Sequence, residues 1–323
     1  MGDTEAPSAT EWPIAACMHG IPAVGDDGRG FHDAPISTWD DAFAQIAGMG
    51  LSTLELADSH VRPADLGSER TAEIFDSAAR HGVSFSSVHV QRKSVIEPGR
   101  GEANLEYAHR TIDAAARWGL KLVSTGLHQP LTPAQREALW FWSAQGAVDP
   151  EDPDMWNLAV RRIRDLGHHA AEVGLPLSLE MYEDTYLGTA ESAVRFIEDV
   201  GLDNVGLNPD VGNLIRLHRP IEDWQEVYSA TLPYANYWHV KNYTRDETAD
   251  GQFISAVPST LADGLINYRR VIRDAVAMGY RGIIVTEHYG GDSLGACETN
   301  ARYIRSVLRG AIAGGDPHLV STP

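Results

Sequence analysis

Four short segments each end on a side chain able to bind a hard cation. LPLSLE ends at Glu180, VGLNPD at Asp210, YANYWH at His239 and GIIVTE at Glu287. Three carboxylates and one imidazole form an oxygen-rich donor set. Such a set suits Mn2+, Mg2+ or Co2+, with Zn2+ as an alternative, and Mn2+ is the expected ion. Other ionisable residues stand at equivalent places: Glu55 and Asp58, His89, and His128 in STGLHQP. Burying that many at one rim is costly unless they are paired or share a cation. An imidazole such as His128 titrates where proton transfer at neutral pH needs it. Lys241 lies two residues after His239 and so points to the same face, able to pair with one of the carboxylates.

Apolar runs of strand character must hold these residues. They fall at 14–19, 53–58, 85–90, 122–127, 177–181, 205–208, 237–240 and 282–286. Between them lie stretches with apolar residues three and four apart, such as Trp39, Phe43 and Ile46, or Val160, Ile163 and Leu166, which predict amphipathic helices. Gly50, Gly82, Gly119, Gly174, Gly201 and Gly279 stand where a helix should end in a left-handed residue before the next strand. Eight such units predict an α/β fold, a (β/α)8 TIM barrel, with the polar strand ends gathered at its C-terminal face. A doubly wound sheet is the alternative, but MHGIPAVGDDGRG after the first strand has no phosphate-loop spacing. The rhythm breaks once, in a lid-like insertion after strand 4 at about residues 129–156. Its Trp140, Phe141 and Trp142 could pack the segment down or stack on a flat substrate. The expected organisation is a disordered N-terminus at 1–11, one barrel domain at 12–310 and a C-terminal tail at 311–323.

The chain has 323 residues, 43% apolar and 22% charged, enough for one large core. Acidic residues number 45 against 26 basic ones, a formal charge of −19. That excess argues against nucleic acid and against anionic membrane surfaces as partners. No apolar run is long enough to span a bilayer, and the polar first residues lack a secretory pattern, so a cytoplasmic setting is expected. Cys17 and Cys297 are too few and too far apart in sequence for a disulfide framework or a thiol metal site.

The motifs E-M-Y at Glu180, N-P-D-V-G-N at Asp210, W-H-V-K-N at His239, L-A-D-G-L-I-N-Y around Asp263 and T-E-H at Glu287 resemble those of the xylose-isomerase-like superfamily of sugar isomerases and epimerases. The resemblance runs from Ile14 to about Leu308 and implies that Glu180, Asp210, His239 and Glu287 are metal ligands. Ketose 3-epimerases of this kind carry a glutamate six residues after the first ligand, where Tyr186 stands here. They carry a histidine three after the aspartate, where Asn213 stands. Their arginine six after the histidine ligand is matched by Arg245. The stretch STGLHQPLTPAQREALWFW looks like the large subunits of bacterial C-glycoside deglycosidases, which implies a small β-rich partner subunit.

This resemblance implies action on an oxidised sugar. A divalent ion would polarise the carbonyl while His128 and either Glu180 or Glu287 move protons, and His89, Lys241 and Arg245 would hold the substrate. The expected reaction is C–C bond cleavage of 3-oxo-C-glycosides. Isomerisation or epimerisation of a keto-sugar is the alternative, and a non-catalytic metal-binding barrel is the second.

Overall fold

The computed structural model describes residues 7–25, 28–251 and 253–313. The strands are β1 (Ile14–Cys17), β2 (Thr53–Ala57), β3 (Ser84–His89), β4 (Leu122–Thr125), β5 (Leu177–Glu180), β6 (Val205–Asn208), β7 (Trp238–Val240), β8 (Asn242–Glu247), β9 (Ile254–Ser259) and β10 (Ile284–Thr286). Eight of them form one parallel sheet in the order β6-β5-β4-β3-β2-β1-β10-β7. Its two edges, β6 and β7, come together through a bridge between Leu207 and Ala235. There the Asn208 side chain accepts from the His239 backbone N–H at 2.7 Å. The result is a nearly closed α/β TIM barrel, as the alternation of patterns predicts.

The eight barrel strands are packed on both faces, outward against the helices and inward against the barrel plug. Leu54, Val88, Val123, Leu179, Leu207, Trp238 and Ile284 join the large core shared with the outer helices. Their strand neighbours turn inward, where Ala15, Cys17, Leu122, Tyr237 and Val285 plug the barrel. Two residues further along come His239 and Glu287, because strand side chains repeat every second residue. All six helix-ending glycines have positive φ, from 62° to 93°.

Three expectations need correction. Ala9 is buried, and Arg305 donates to the carbonyls of Ala9 and Thr10, so the expected disorder over 1–11 does not extend to these two. The remainder of that expectation, over 1–6, and most of the expected tail, over 314–323, lie outside the described residues. The segment after β4 ends at 152 rather than 156. Asp152 caps the helix Pro153–Glu172, whose first-turn proline is preset for that position. Finally, β8 and β9 form an antiparallel hairpin that the strand pattern missed. The Asp250-Gly251 pair between them, with Gly251 at φ 68°, is a turn signal that could have found it.

The segment 126–152 is ordered and lies against this hairpin. Trp142 is buried, donates Nε1–H to Ala256 O at 3.2 Å, and meets Tyr243 and Tyr289 edge-on. The buried Arg216 sits 5.0 Å from the Trp142 ring and 4.8 Å from that of Phe141, and is neutralised by Glu183 at 3.1 Å. An arginine that is both ion-paired and stacked ties the segment to the barrel rim. Trp142 therefore serves packing; Trp140 stacks on it at 4.8 Å.

Candidate metal centre

Glu180, Asp210, His239 and Glu287 converge, each with one donor atom within 4.8 Å of the others. All four are buried. Glu180 closes β5, Asp210 follows β6 by two residues, His239 lies in β7 and Glu287 follows β10. His239 aims Nδ1 at the cluster, 3.0 Å from Glu180 Oε1, 3.6 Å from Glu287 Oε2 and 3.8 Å from Asp210 Oδ2. Its Nε2 points the other way, 2.9 Å from Glu55 Oε1.

Glu55 lies one layer below and also accepts from the Tyr237 hydroxyl at 2.8 Å. Burial would raise its pKa, yet His239 and the more distant His89 hold it below the usual carboxylate range. An ionised Glu55 keeps the proton on Nε2 and leaves Nδ1 free to ligate. Glu55→Gln keeps the shape and removes the charge. It is expected to weaken divalent-cation binding by about 10- to 100-fold with an unchanged circular dichroism spectrum. Calorimetric titration checks this; unaltered affinity would mean that Glu55 does not tune the imidazole.

The donor set fits a divalent cation. Asp210 Oδ1 is buried with no hydrogen-bond partner, a costly state unless something positive faces it. Burial, opposed by Lys241 and reinforced by Glu180 and Glu287, pushes the Asp210 pKa up to about 7. Three carboxylates thus crowd one space with more negative charge than the neighbouring groups relieve. Lys241 supplies part of the missing charge: its Nζ lies 2.5 Å from Asp210 Oδ2 and 2.6 Å from Glu287 Oε2. Gly212 makes room for this, since a Cβ there would come within 2.4 Å of the Lys241 stem.

Glu180 is gripped from the other side. His128 Nε2 lies 2.6 Å from its Oε2, off the hydrogen-bond line, and His89 Nε2 is 3.1 Å away. Burial opposes ionisation, but His89 and His239 hold Glu180 well below the usual range. The His128 pKa is lowered, by burial first and by His89 and Arg92, against the pull of Glu180. It is therefore a neutral base, and its Nδ1 has no partner. Gly126 leaves space for the ring, which a Cβ would approach to 2.6 Å.

Of the residues singled out in the sequence, the structure brings together His89, His128, Glu180, Asp210, His239, Lys241 and Glu287. Arg245 and Asp58 are exceptions. Arg245 lies on the hairpin strand β8, and its guanidinium donates to the carbonyls of Ile215, Leu217 and Arg219 and pairs with Glu247. With those donors spent on the loop after Asp210, Arg245 shapes that loop. Asp58 is drawn off to Lys93 and the Gln91 backbone.

The sequence reading missed His19, Gln91, Arg92, Tyr182, Asn213 and Tyr289. His19 holds Glu287 Oε1 at 3.2 Å and contacts the Gln91 amide. The other five line the cavity with His89, His128, Glu180, Lys241 and Glu287. Two signals were present: the first predicted strand ended at His19, and Tyr289 follows Glu287 by the two-residue period of a strand. The cavity measures about 20 Å3, room for a water or an ion.

A family profile described as Xylose isomerase-like TIM barrel matches residues 43–309. A crystal structure of a xylose isomerase-like TIM barrel protein from Mycobacterium smegmatis, in complex with magnesium, is 46% identical. That match covers 95% of this chain and 99% of that one, with a TM-score of 0.90. Inosose dehydratase from Geobacillus thermodenitrificans (strain NG80-2) is 23% identical over 261 residues, 77% of this chain and 82% of the relative. The 3-keto-D-glucoside 4-epimerase of E. coli shares the fold at 14% identity, with a TM-score of 0.62 over 91% of this chain and 98% of that one.

Proposed function

The chain belongs to the xylose isomerase-like TIM barrel family, and from that premise we propose that it is a divalent-cation-dependent isomerase or epimerase of keto-sugars. One observation carries the reading. Two carboxylates with separate supporting groups, Glu180 with His128 and His89, Glu287 with His19 and Lys241, line one cavity. They stand on β5 and after β10, three strands apart round an eight-stranded ring, and so reach the cavity from nearly opposite sides. Moving a proton from one face of a carbon to the other needs two such groups.

A bound divalent cation would act as a Lewis acid toward a sugar carbonyl and its neighbouring hydroxyl. Glu180, Asp210, His239 Nδ1 and Glu287 would hold it. His128, neutral and unpartnered at Nδ1, takes the proton next to the carbonyl, and Glu180 steadies the imidazolium that results. With Asp210 and Glu287 holding the cation, Lys241 would be available to turn its ammonium toward substrate oxygens. Asn213 Oδ1, which has no partner, accepts from a hydroxyl. Substrate pockets run to about 300 Å3 or more, so Tyr182, Tyr289 and the Trp142 segment above them must shift to admit a sugar. In this reading the segment is a lid.

The dehydratase and the 3-keto-glucoside epimerase support a keto-sugar substrate, and the magnesium-bound relative supports Mg2+ as the cofactor, with Mn2+ the alternative that the same donor set suits. The test is incubation with ketoses and 3-keto-glucosides in D2O with each ion, followed by NMR. Deuterium at the carbon beside the carbonyl, with an epimer or isomer formed, supports the reading. Unexchanged substrate across both classes would overturn it.

A second reading is C–C bond cleavage of 3-oxo-C-glycosides with a β-rich partner subunit, and exposed apolar residues on the segment after β4 and on the hairpin side offer it a surface. Leu139 is 90% exposed, and Phe253 and Val257 stand out on the hairpin side. The same assay run on a 3-oxo-C-glucoside, with and without that partner, separates the two by release of the free aglycone.

A further inference from the structure

On the outer wall of the barrel, two imidazoles on neighbouring helices face each other. His109 lies on the helix Gly101–Arg117 and His169 on Pro153–Glu172. Their Nδ1 atoms are 2.7 Å apart. Each Nε2 is held by a carboxylate from the opposite helix: His109 by Asp165 at 3.1 Å and His169 by Asp113 at 2.9 Å. Histidine and aspartate are four residues apart on both helices, so all four side chains share one seam.

This arrangement leaves a cation to be supplied. Nε2–H bonds to the aspartates fix both rings in the tautomer with a lone pair on Nδ1. Two lone pairs at 2.7 Å repel unless a shared proton or metal ion lies between them. A carboxylate behind each imidazole is also the support that metal-bound histidines typically have. We propose that His109 and His169 form a second metal site, built for a late first-row divalent ion of the Cu2+ or Ni2+ class.

Distance decides between geometries. With metal–nitrogen bonds of about 2.0–2.1 Å, nitrogens at right angles lie about 2.9 Å apart, and tetrahedral ones about 3.3 Å. The observed spacing is nearer the first, the angle of square-planar or octahedral Cu2+ and Ni2+ rather than of tetrahedral Zn2+. The rings are 4.9 Å apart and inclined by 32°, so a small opening suffices. A divalent ion also balances the two aspartates. The two imidazoles are 28% and 22% exposed, which leaves the other coordination positions open to water. None of the four residues belongs to the cluster in the barrel mouth, and the site stands whatever that cluster catalyses.

The experiment is Cu2+ titration of the Mg2+-loaded full-length protein, followed by electron paramagnetic resonance and by bound-metal analysis. The wild type should bind one more equivalent than His169→Gln and show a signal split by two nitrogens. Asp113→Asn, which keeps both imidazoles, should bind that equivalent about 10- to 100-fold more weakly. Melting temperatures of the variants show that they are folded. Equal stoichiometry in wild type and His169→Gln would overturn the proposal. So would full affinity in Asp113→Asn, which would leave an adventitious surface histidine pair only.

Discussion

Asp210→Asn is expected to lower the affinity for the divalent ion by about a thousandfold or more and to take turnover down with it. Asp210 is fully buried, its Oδ1 has no partner, and its Oδ2 contacts only the Lys241 ammonium within hydrogen-bond distance. The substitution removes one of three anionic ligands from a buried site where charge attraction is weakly screened, and about 1.4 kcal/mol is a factor of ten. Asparagine keeps the shape and loses the charge. The metal-free variant should melt close to the metal-free wild type, because burial and two neighbouring carboxylates already disfavour the ionised form of Asp210. Mass-spectrometric metal analysis beside a thermal melt makes the check. Full metal content in the folded variant would remove Asp210 from the ligand set.

His128→Gln is expected to leave metal content intact and to cost about 10²- to 10⁴-fold in kcat, the usual contribution of a positioned acid or base. His128 touches Glu180 on the side away from His239 Nδ1, and His89 remains to support Glu180 after the change. The pH profile is a second readout. A base must be neutral to act, so wild-type kcat should fall as the pH drops through the His128 pKa. Burial sets that pKa below the ordinary imidazole range. The variant should lack this limb. A variant that keeps both its rate and the limb would show that another group moves the proton.

Much of the fold was legible because two periodicities are local. Apolar residues at three and four, then a glycine, then an apolar strand describe helix, cap and strand without reference to anything distant. The convergence of four candidate donors was legible for the same reason, since each ends its own strand-like run. The bonds of Arg245 to the loop after Asp210 were not legible, because its position after His239 says nothing about the hairpin that carries it. The hairpin itself was hidden by a polar, half-exposed strand, NYTRDE, that lacks an apolar face.

Sequence by itself therefore determined the alternation that makes a barrel and the chemical types delivered to its rim. Tertiary structure alone decided which of those groups meet. Glu55 supports His239, His19 supports Glu287, and Lys241 spans Asp210 and Glu287 because the strands pair in one register and β6 closes on β7. The same holds on the outer wall, where His109 and His169 are separated by some sixty residues of chain and 2.7 Å of space. Side-chain type and period belong to the local chain, whereas distances between strands and helices exist only once the sheet has closed.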